Sequence, residues 1–447
     1  MADFIIGMNM GIYLPLILLI LTLQLVVSRK ILFAWFDPIA IYIVINSFGI
    51  AFATYLWIDK EINLDDFISF FLATACFYVG MNIGSKEFKA RTDNIKYVIE
   101  KENIKSISKY SKQKYSNHLY VFLFVSLVIL LIANLALIAI FGTLPLFSPD
   151  VDAAKVAARG PGLGIIYRIN SALLPTSLAI ILSKFFNPVT DLQKNEKLIL
   201  YISLAILLVL LVSSGNKGSI LTATSILSYL FLVNTRLKSS KTNIIPKIIL
   251  VFLGMGVGSV LLVFAQAAVV GNYTSIFDGL FIRLVASGET FYYFYKYNLI
   301  QKMSSTPWDY LIDSVSPFLS ILRIGEYKDA LGSRIITEAI GLDVGKFGTN
   351  PQYQVEGTIY FGAIGSFLYS FLIGYALTKI RGILLEKVII ETNQMNLVIY
   401  SLISSHLLEL PVDSLLFYGT IYSIIIIAIP IFLLVSTILG NQLRKTE

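Results

Sequence analysis

The sequence predicts an all-α polytopic membrane protein, and three observations indicate this fold class. Of the 447 residues, 56% are hydrophobic and only 14% are charged, whereas soluble domains have about 25% charged residues. The apolar runs are ~20 residues long, the length that crosses ~30 Å of hydrocarbon as a helix. They do not alternate in the way that transmembrane β-strands do. We therefore expect one membrane domain built from helices over residues 1–447.

The apolar runs give the positions of the spans. Eleven segments qualify, at residues 9–28, 31–57, 65–84, 119–141, 165–184, 198–214, 219–235, 248–270, 355–378, 397–412 and 417–440. The pair at 198–214 and 219–235 is short for a span. The first run is not preceded by a basic segment and followed by a cleavage site, so we interpret it as a retained span.

Lysine and arginine in the connectors predict the orientation. Residues 85–118 contain nine of them and residues 236–247 contain four. Such an excess is typical of cytoplasmic loops, so we expect the N-terminus outside and the C-terminus in the cytoplasm. The net charge of +7 has the same origin and does not predict a nucleic-acid partner. The 85–118 loop has the composition of a solvated, partly helical connector, with a partner-binding segment as the alternative.

Two long loops then face outward, residues 142–167 and residues 271–354. The larger one is expected to be partly helical. An amphipathic helix over 276–287 is predicted to lie at the membrane surface, and a second helix over 332–341 lies between glycines. The aromatic stretch between them, ETFYYFYKYNL, favours either an interfacial belt or a platform for sugar rings.

Arginine is concentrated on the outward side, against the usual charge bias. The residues concerned are Arg159, Arg168, Arg283, Arg323 and Arg334. Guanidinium is a planar, permanently charged donor that suits phosphate, so several together could hold a diphosphate. Lys217, in the turn SSGNKGS, could add a charge at the outer rim. The alternatives are contacts with lipid headgroups, and ion pairs such as Arg334 with Glu338 four residues later.

The sequence offers few other routes to chemistry. It contains one cysteine, Cys76, and two histidines, His118 and His406, so neither a disulfide framework nor a His-rich metal site is expected. Phosphate-binding Gly-Lys loops, GxSxG and HExxH motifs do not occur. We therefore expect no cofactor.

Three segments resemble the bacterial oligosaccharide-repeat-unit polymerases, the Wzy or O-antigen polymerase family. GTLPLFSPDVDAAKVAARGPGLG is similar to the first large periplasmic loop of that family. SGNKGS is similar to its basic turn, and EGTIYFGAIGSFL to the segment that enters the span after the second large loop. The resemblance covers residues 120–380 and is one of pattern and order.

The resemblance implies a GT-C-like architecture in the bacterial inner membrane and a site on the periplasmic side. It implies metal-independent transfer of a glycan from undecaprenyl diphosphate to a lipid-linked repeat unit, and it allows a chain-length regulator as a partner. The family motif of Arg followed eleven residues later by Gly is met by Arg334 and Gly345. The first loop departs from it, because Asn170 stands eleven residues after Arg159. Lys217 stands where the family commonly has Arg.

The resulting hypothesis assigns two roles. The diphosphate is expected to bind in one cavity shared by Arg159, Lys217, Arg283, Arg323 and Arg334. Glu356, Glu289 and His406 are the candidates for the base that deprotonates the acceptor hydroxyl, although a histidine hydrogen-bonded between helices is the common structural role for His406. An O-antigen ligase and a lipid-linked oligosaccharide flippase are the competing functions.

Overall fold

The structure is a computed structural model. It describes residues 4–5, 7–32, 37–101, 114–145, 148, 164–186, 194–213, 217–237, 284–325, 328, 330–341, 349–390 and 393–444. Regular structure in this part of the chain is entirely helical. The all-α prediction is therefore confirmed for these residues.

The helices follow the apolar pattern. They are α1 (Met10–Ser28), α2 (Pro38–Ile58), α3 (Leu64–Lys101), α4 (Lys114–Phe141), α5 (Gly164–Phe186), α6 (Lys194–Ser213), α7 (Lys217–Leu237), α8 (Glu289–Lys296), α9 (Leu299–Lys302), α10 (Pro307–Ile321), α11 (Leu331–Ile340), α12 (Gln352–Ile390), α13 (Gln394–His406), α14 (Ser414–Ser423) and α15 (Ile429–Arg444). A π-helical turn, Ile424–Ala428, joins α14 to α15.

Among the described residues, eight helical segments are long and apolar enough to cross a membrane. They lie in α1 to α6, in α12, and in the continuous stretch from α14 to α15. A shorter apolar stretch, Gly218–Val233, lies in α7. The chain is therefore a membrane-embedded helical protein. The predicted span at 248–270 lies outside the described residues, and the total of eleven stays a prediction.

Two boundaries differ from the prediction for local reasons. The helix described for the segment predicted from residue 31 begins at Pro38, where Asp37 caps it by accepting a hydrogen bond from the Ile39 amide over 3.1 Å. The segment predicted to reach residue 412 ends at His406, and turns that include Pro411 follow it. Proline cannot donate a backbone hydrogen bond, which opposes continuation of the helix.

α12 contains a break at Gly362, whose backbone angles are φ 72° and ψ 176°. Only glycine adopts this conformation without strain. The carbonyl of Ile359, one turn before the break, accepts a hydrogen bond from the Ser305 amide over 3.0 Å. The break therefore separates a short first half of α12 from its long second half.

The contacts group the chain into two compact units. The first contains Met1–Arg91, Tyr273–Gly382 and Leu407–Gly419, and the second contains Thr92–Asn272, Ile383–His406 and Thr420–Glu447. Both units thus draw on distant parts of the sequence. The single membrane domain over residues 1–447 stays a prediction.

In the first unit, α3 and α12 pack with their backbones close together. Gly80 of α3 lies against the carbonyl of Phe371, and Gly374 of α12 lies against that of Phe77. The Thr378 hydroxyl donates to the Met81 carbonyl over 3.0 Å. Small residues that let helix backbones approach are typical of packing inside membranes.

A buried ion pair holds the other end of α12 in the same unit. Arg381 donates to Asp37 over 2.8 Å and to the Ile31 carbonyl over 3.1 Å. The two charged side chains are 3% and 0% exposed. Because Asp37 also caps α2, this pair ties the start of α2 to α12.

The second unit is built around α5, which packs against α4, α7 and α13. Asn134 of α4 donates to the side chain of Asn170 over 3.0 Å. The Lys184 ammonium lies 4.3 Å from the centre of the Tyr120 ring. These polar contacts lie on helices that are otherwise apolar.

Candidate functional site

α10 positions the central residues of the candidate site. It begins with a capping box in which Thr306 and Asp309 exchange hydrogen bonds, with Pro307 as the first helical residue. Its buried face carries Tyr310, Asp313, Ser314 and Pro317, at the spacing of one helical stripe. Its exposed residues include Trp308, Leu311, Ile312 and Val315. This arrangement, polar inside and apolar outside, is typical of a helix whose outer face meets lipid.

Asp313 is the centre of the first cluster, which we call the Asp313 cluster (Asp313, Lys328, Arg334 and Tyr360). Arg334 and Lys328 each donate to the carboxylate over 2.7 Å. Tyr360 donates to it over 2.6 Å and accepts a hydrogen bond from Arg334 over 2.8 Å. Side-chain exposure is 2% for Asp313, 33% for Arg334 and 47% for Lys328. The carboxylate is thus buried beneath two cations that reach solvent.

The charges of this cluster stabilise one another. Burial opposes ionisation of Asp313, but hydrogen bonds from Lys328 and Tyr360 and the charge of Arg334 outweigh it and lower the pKa of that carboxyl. Burial likewise opposes the charge on Arg334, and Tyr360 and Asp313 outweigh it and raise the pKa of the guanidinium. Two cations share one carboxylate, so the three charged side chains carry a net charge of +1.

Glu356 is the centre of the second cluster, which we call the Glu356 network (Glu356, Ser414, Tyr310, Tyr369 and Tyr418). The Ser414 hydroxyl donates to the carboxylate over 2.6 Å. The Tyr310 hydroxyl lies 3.1 Å from Ser414, 3.1 Å from Tyr418 and 3.4 Å from Tyr369. Glu356 is 0% exposed, and Tyr418 is the more exposed end of the network. A chain of hydroxyl groups therefore runs from a buried carboxylate toward the surface.

The two clusters meet at an aromatic contact. The rings of Tyr310 and Tyr360 lie edge to face, with their centres 5.3 Å apart. Tyr310 belongs to the Glu356 network and Tyr360 to the Asp313 cluster. All these residues lie in the first unit, so one site combines a cationic part with a carboxylate and hydroxyl part.

Asp413 lies next to the Glu356 network, one residue before Ser414. Burial is the main factor that raises the pKa of its carboxyl to about 6, and the charge of Glu409 adds to the effect. Its carboxylate also accepts a hydrogen bond from the Leu416 amide over 2.9 Å. Asp413 thus caps α14 while it lies in an environment that disfavours its charge.

The structure brings two of the predicted site residues together, Arg334 and Glu356, through Tyr360 and Tyr310. Arg334 is paired, but with Asp313 rather than with Glu338. Arg323 is exposed after the end of α10, in a left-handed conformation with φ 58°. Among the described residues, it takes no part in the hydrogen bonds of the Asp313 cluster.

The other predicted residues fall elsewhere. Glu289 is the half-buried first residue of α8 in the first unit. His406 is the buried last residue of α13 and belongs to the second unit. Arg159, Arg283 and Gly345 lie outside the described residues, as does the side chain of Lys217, the first residue of α7. The shared cavity therefore stays a prediction for these arginines.

The aromatic stretch of the larger loop forms the buried helix α8. Phe291 and Phe294 are 0% exposed, and the Phe291 ring lies 4.7 Å from that of Phe70 in α3. Lys296, at the end of the helix, bonds to Glu61 over 3.1 Å. These rings are occupied by packing against the membrane helices, so the stretch is not an open platform for sugar.

Sequence reasoning missed Asp313, Lys328, Tyr310 and Ser414. One signal could have identified Asp313. In the stretch WDYLIDSVSP, helical spacing places Tyr310, Asp313 and Pro317 on one face, and the other face is apolar. No comparable signal marks Ser414, because its partner lies 58 positions earlier in the chain.

Comparison of the chain with protein-family models, curated proteins and solved structures finds no match. Among the described residues, no group of three His, Cys, Asp or Glu side chains could hold a metal ion. The site is therefore interpreted from its own geometry.

Proposed function

We propose that this protein is a metal-independent membrane glycosyltransferase of the repeat-unit polymerase type. It transfers a glycan from undecaprenyl diphosphate to a lipid-linked oligosaccharide. The proposal places it in the bacterial inner membrane, with the site and the N-terminus on the periplasmic side and the C-terminus in the cytoplasm.

The observation that carries the proposal is the contact between the Asp313 cluster and the Glu356 network. Transfer from a lipid diphosphate requires a cationic group for the leaving diphosphate and a base for the acceptor hydroxyl. The first unit contains both, joined through the Tyr310 and Tyr360 rings. The longest outward loop of the predicted topology supplies α10 and α11, which hold the cationic part.

Arg334 is the residue expected to bind the diphosphate. Its guanidinium is partly exposed, and its buried Nε has no hydrogen-bond partner among the described residues. Lys328 bonds to the other oxygen of Asp313, so that carboxylate keeps a counter-ion when Arg334 turns toward a phosphate. A charge-assisted hydrogen bond of this kind contributes about 1.5–3 kcal/mol.

Glu356 is the residue expected to accept the proton. The acceptor hydroxyl attacks the sugar carbon bound to the diphosphate, the bond to the diphosphate breaks, and the proton of the hydroxyl passes to the carboxylate. Undecaprenyl diphosphate leaves as an anion beside Arg334. The glycan thereby grows on the lipid of the acceptor.

The test is polymerisation by the purified protein in liposomes that contain a lipid-linked repeat unit alone. We expect a ladder of longer lipid-linked glycans, and we expect the Arg334→Ala variant to lose it. Lys302→Ala, which removes an exposed lysine of α9, is the matched control and should keep the ladder. A normal ladder from Arg334→Ala would remove Arg334 from the mechanism.

The same assay separates the competing functions. An O-antigen ligase makes product only after a lipid A core acceptor is added. A flippase moves the labelled lipid across the bilayer without forming a glycosidic bond. If the repeat unit alone gives no ladder, then either transfer to the lipid A core or movement of the lipid across the bilayer would contradict the polymerase proposal.

A further inference from the structure

The burial of Glu356 raises a difficulty for direct proton transfer. A general base must come within hydrogen-bond reach of the hydroxyl that it deprotonates. Glu356 is 0% exposed, and Ser414 already donates to one of its oxygens over 2.6 Å. The second oxygen lies 3.4 Å from the Ser414 amide. A sugar hydroxyl therefore has no direct access to this carboxylate.

The hydroxyl groups around Glu356 provide an indirect route. Ser414 contacts Glu356, Tyr310 contacts Ser414 over 3.1 Å, and Tyr418 contacts Tyr310 over 3.1 Å. Each of these side chains can donate and accept a hydrogen bond. Tyr418 is the member that reaches the partly exposed surface.

We propose that Ser414, Tyr310 and Tyr418 form a proton relay that connects an acceptor hydroxyl at the surface to Glu356 in the interior. This inference rests on the proposed function. It adds the path that the proton of the acceptor hydroxyl takes through the same site. The Tyr418 oxygen takes the proton of the acceptor hydroxyl and passes its own proton to Tyr310. Tyr310 passes its proton to Ser414, and Ser414 passes its proton to the carboxylate.

The balance of the step is simple. The acceptor oxygen loses one proton, Glu356 gains one, and each relay hydroxyl ends with one proton, as it began. The new bond to the sugar forms as the bond to the diphosphate breaks. After product release, the same hydroxyls return the proton from Glu356 to water.

The position of the relay agrees with the rest of the site. Tyr310, the central member, is the residue whose ring contacts Tyr360 of the Asp313 cluster. The relay and the cluster that contains the diphosphate-binding guanidinium are thus in contact through the Tyr310 and Tyr360 rings. Tyr369 lies 3.4 Å from Tyr310 and also forms a hydrogen bond with Glu356, so it offers a parallel last step to the carboxylate, and Tyr310 is common to both routes.

The experiment compares Tyr310→Phe, Glu356→Gln and wild type in the liposome assay. Tyr310→Phe keeps the ring and removes only the central hydroxyl. We expect it to lower kcat about 10²-fold and to leave KM for the lipid donor within about twofold, since it does not touch the diphosphate. In mixtures of H2O and D2O, a plot of wild-type kcat against the D2O fraction should be curved, because several protons move in the same step. A residue that only supports the fold would not produce this curvature.

The controls separate the relay from folding and from the function itself. Tyr42→Phe removes a buried tyrosine hydroxyl of α2 outside the network and should keep wild-type kcat. If Tyr310→Phe does not fold, Tyr418→Phe at the outer end carries the same expectation. Loss of activity in Glu356→Gln with normal kcat in Tyr310→Phe would overturn the relay and leave the polymerase proposal standing. Absence of polymer from wild type would overturn both.

Discussion

The Ser414 hydroxyl donates to the Glu356 carboxylate over 2.6 Å and joins the start of α14 to the first half of α12. This bond belongs to the first unit, and Glu356 stands six residues before the break at Gly362. The short half of α12 is thus held by a hydrogen bond to a buried carboxyl group, in a region where polar groups are costly to bury.

Replacement of Ser414 by alanine should therefore destabilise the protein more than loss of an ordinary hydroxyl. A buried acceptor that loses its donor costs about 1–3 kcal/mol. The measurement is the Tm of the variant in detergent. Thr22→Val is the control, because the Thr22 hydroxyl is exposed and bonds to the Leu18 carbonyl of its own helix. Equal Tm values for the two variants would mean that Ser414 does not hold the carboxylate.

Asp313 should stabilise the protein in a pH-dependent way. Its folded-state pKa is lower than the usual value of 3.8, so its contribution is present above that value and is lost as the pH falls through the folded pKa. Asp313→Asn removes the contribution and leaves Arg334 and Lys328 without a carboxylate. We expect the variant to have a lower Tm than wild type at pH 7 and a smaller difference from it below pH ~4.

Lys328→Met is the control for Asp313→Asn, because it removes one cation of the Asp313 cluster and leaves the carboxylate in place. Lys328 is 47% exposed, and partly exposed ion pairs contribute only about 0–1 kcal/mol. Its Tm should lie close to that of wild type at all pH values. A loss as large as that of Asp313→Asn would show that Lys328 is the main counter-ion of Asp313.

Asp413 should have the opposite dependence on pH. Burial raises the pKa of its carboxyl from 3.8 to about 6, so the folded state binds the proton more tightly than the unfolded state does. The ionised group destabilises the fold above about pH 6, and this cost disappears as the pH falls through 6 toward 4. Asp413→Asn can still cap α14, so its Tm should exceed that of wild type at pH 8 and converge with it at pH ~4. A constant difference between the two proteins across this range would contradict a raised pKa.

The sequence predicts the eight long apolar helices of the described residues, because the length of an apolar run decides whether a helix can cross a bilayer. It does not predict the break in α12, since EGTIYFGAIG has the composition of a continuous span. Near the break, the Ile359 carbonyl accepts a tertiary hydrogen bond from the Ser305 amide, a contact that the sequence does not reveal. The sidedness stays a prediction from the positive-inside pattern.

The site is only partly predictable, because its groups meet across long sequence separations. Arg334 and Glu356 stand out as polar residues in a predicted outward loop and at the start of a span. The partner of Arg334 is Asp313, which lies 21 positions earlier, whereas local spacing suggests Glu338. The aromatic residues of α8 show the same limit, since interfacial, sugar-binding and core positions have similar compositions.

The last prediction concerns the close packing of α3 and α12. A methyl group at Gly374 would collide with the carbonyl oxygen of Phe77, and overpacking of this kind typically costs about 1–3 kcal/mol. Gly374→Ala should therefore lower the Tm, although alanine favours a helix by about 1 kcal/mol relative to glycine. Gly419→Ala is the control, because a methyl group there meets only the Pro317 side chain at 3.6 Å. It should keep or raise the Tm, and a similar loss in both variants would mean that the glycines matter for some reason other than the approach of the two helices.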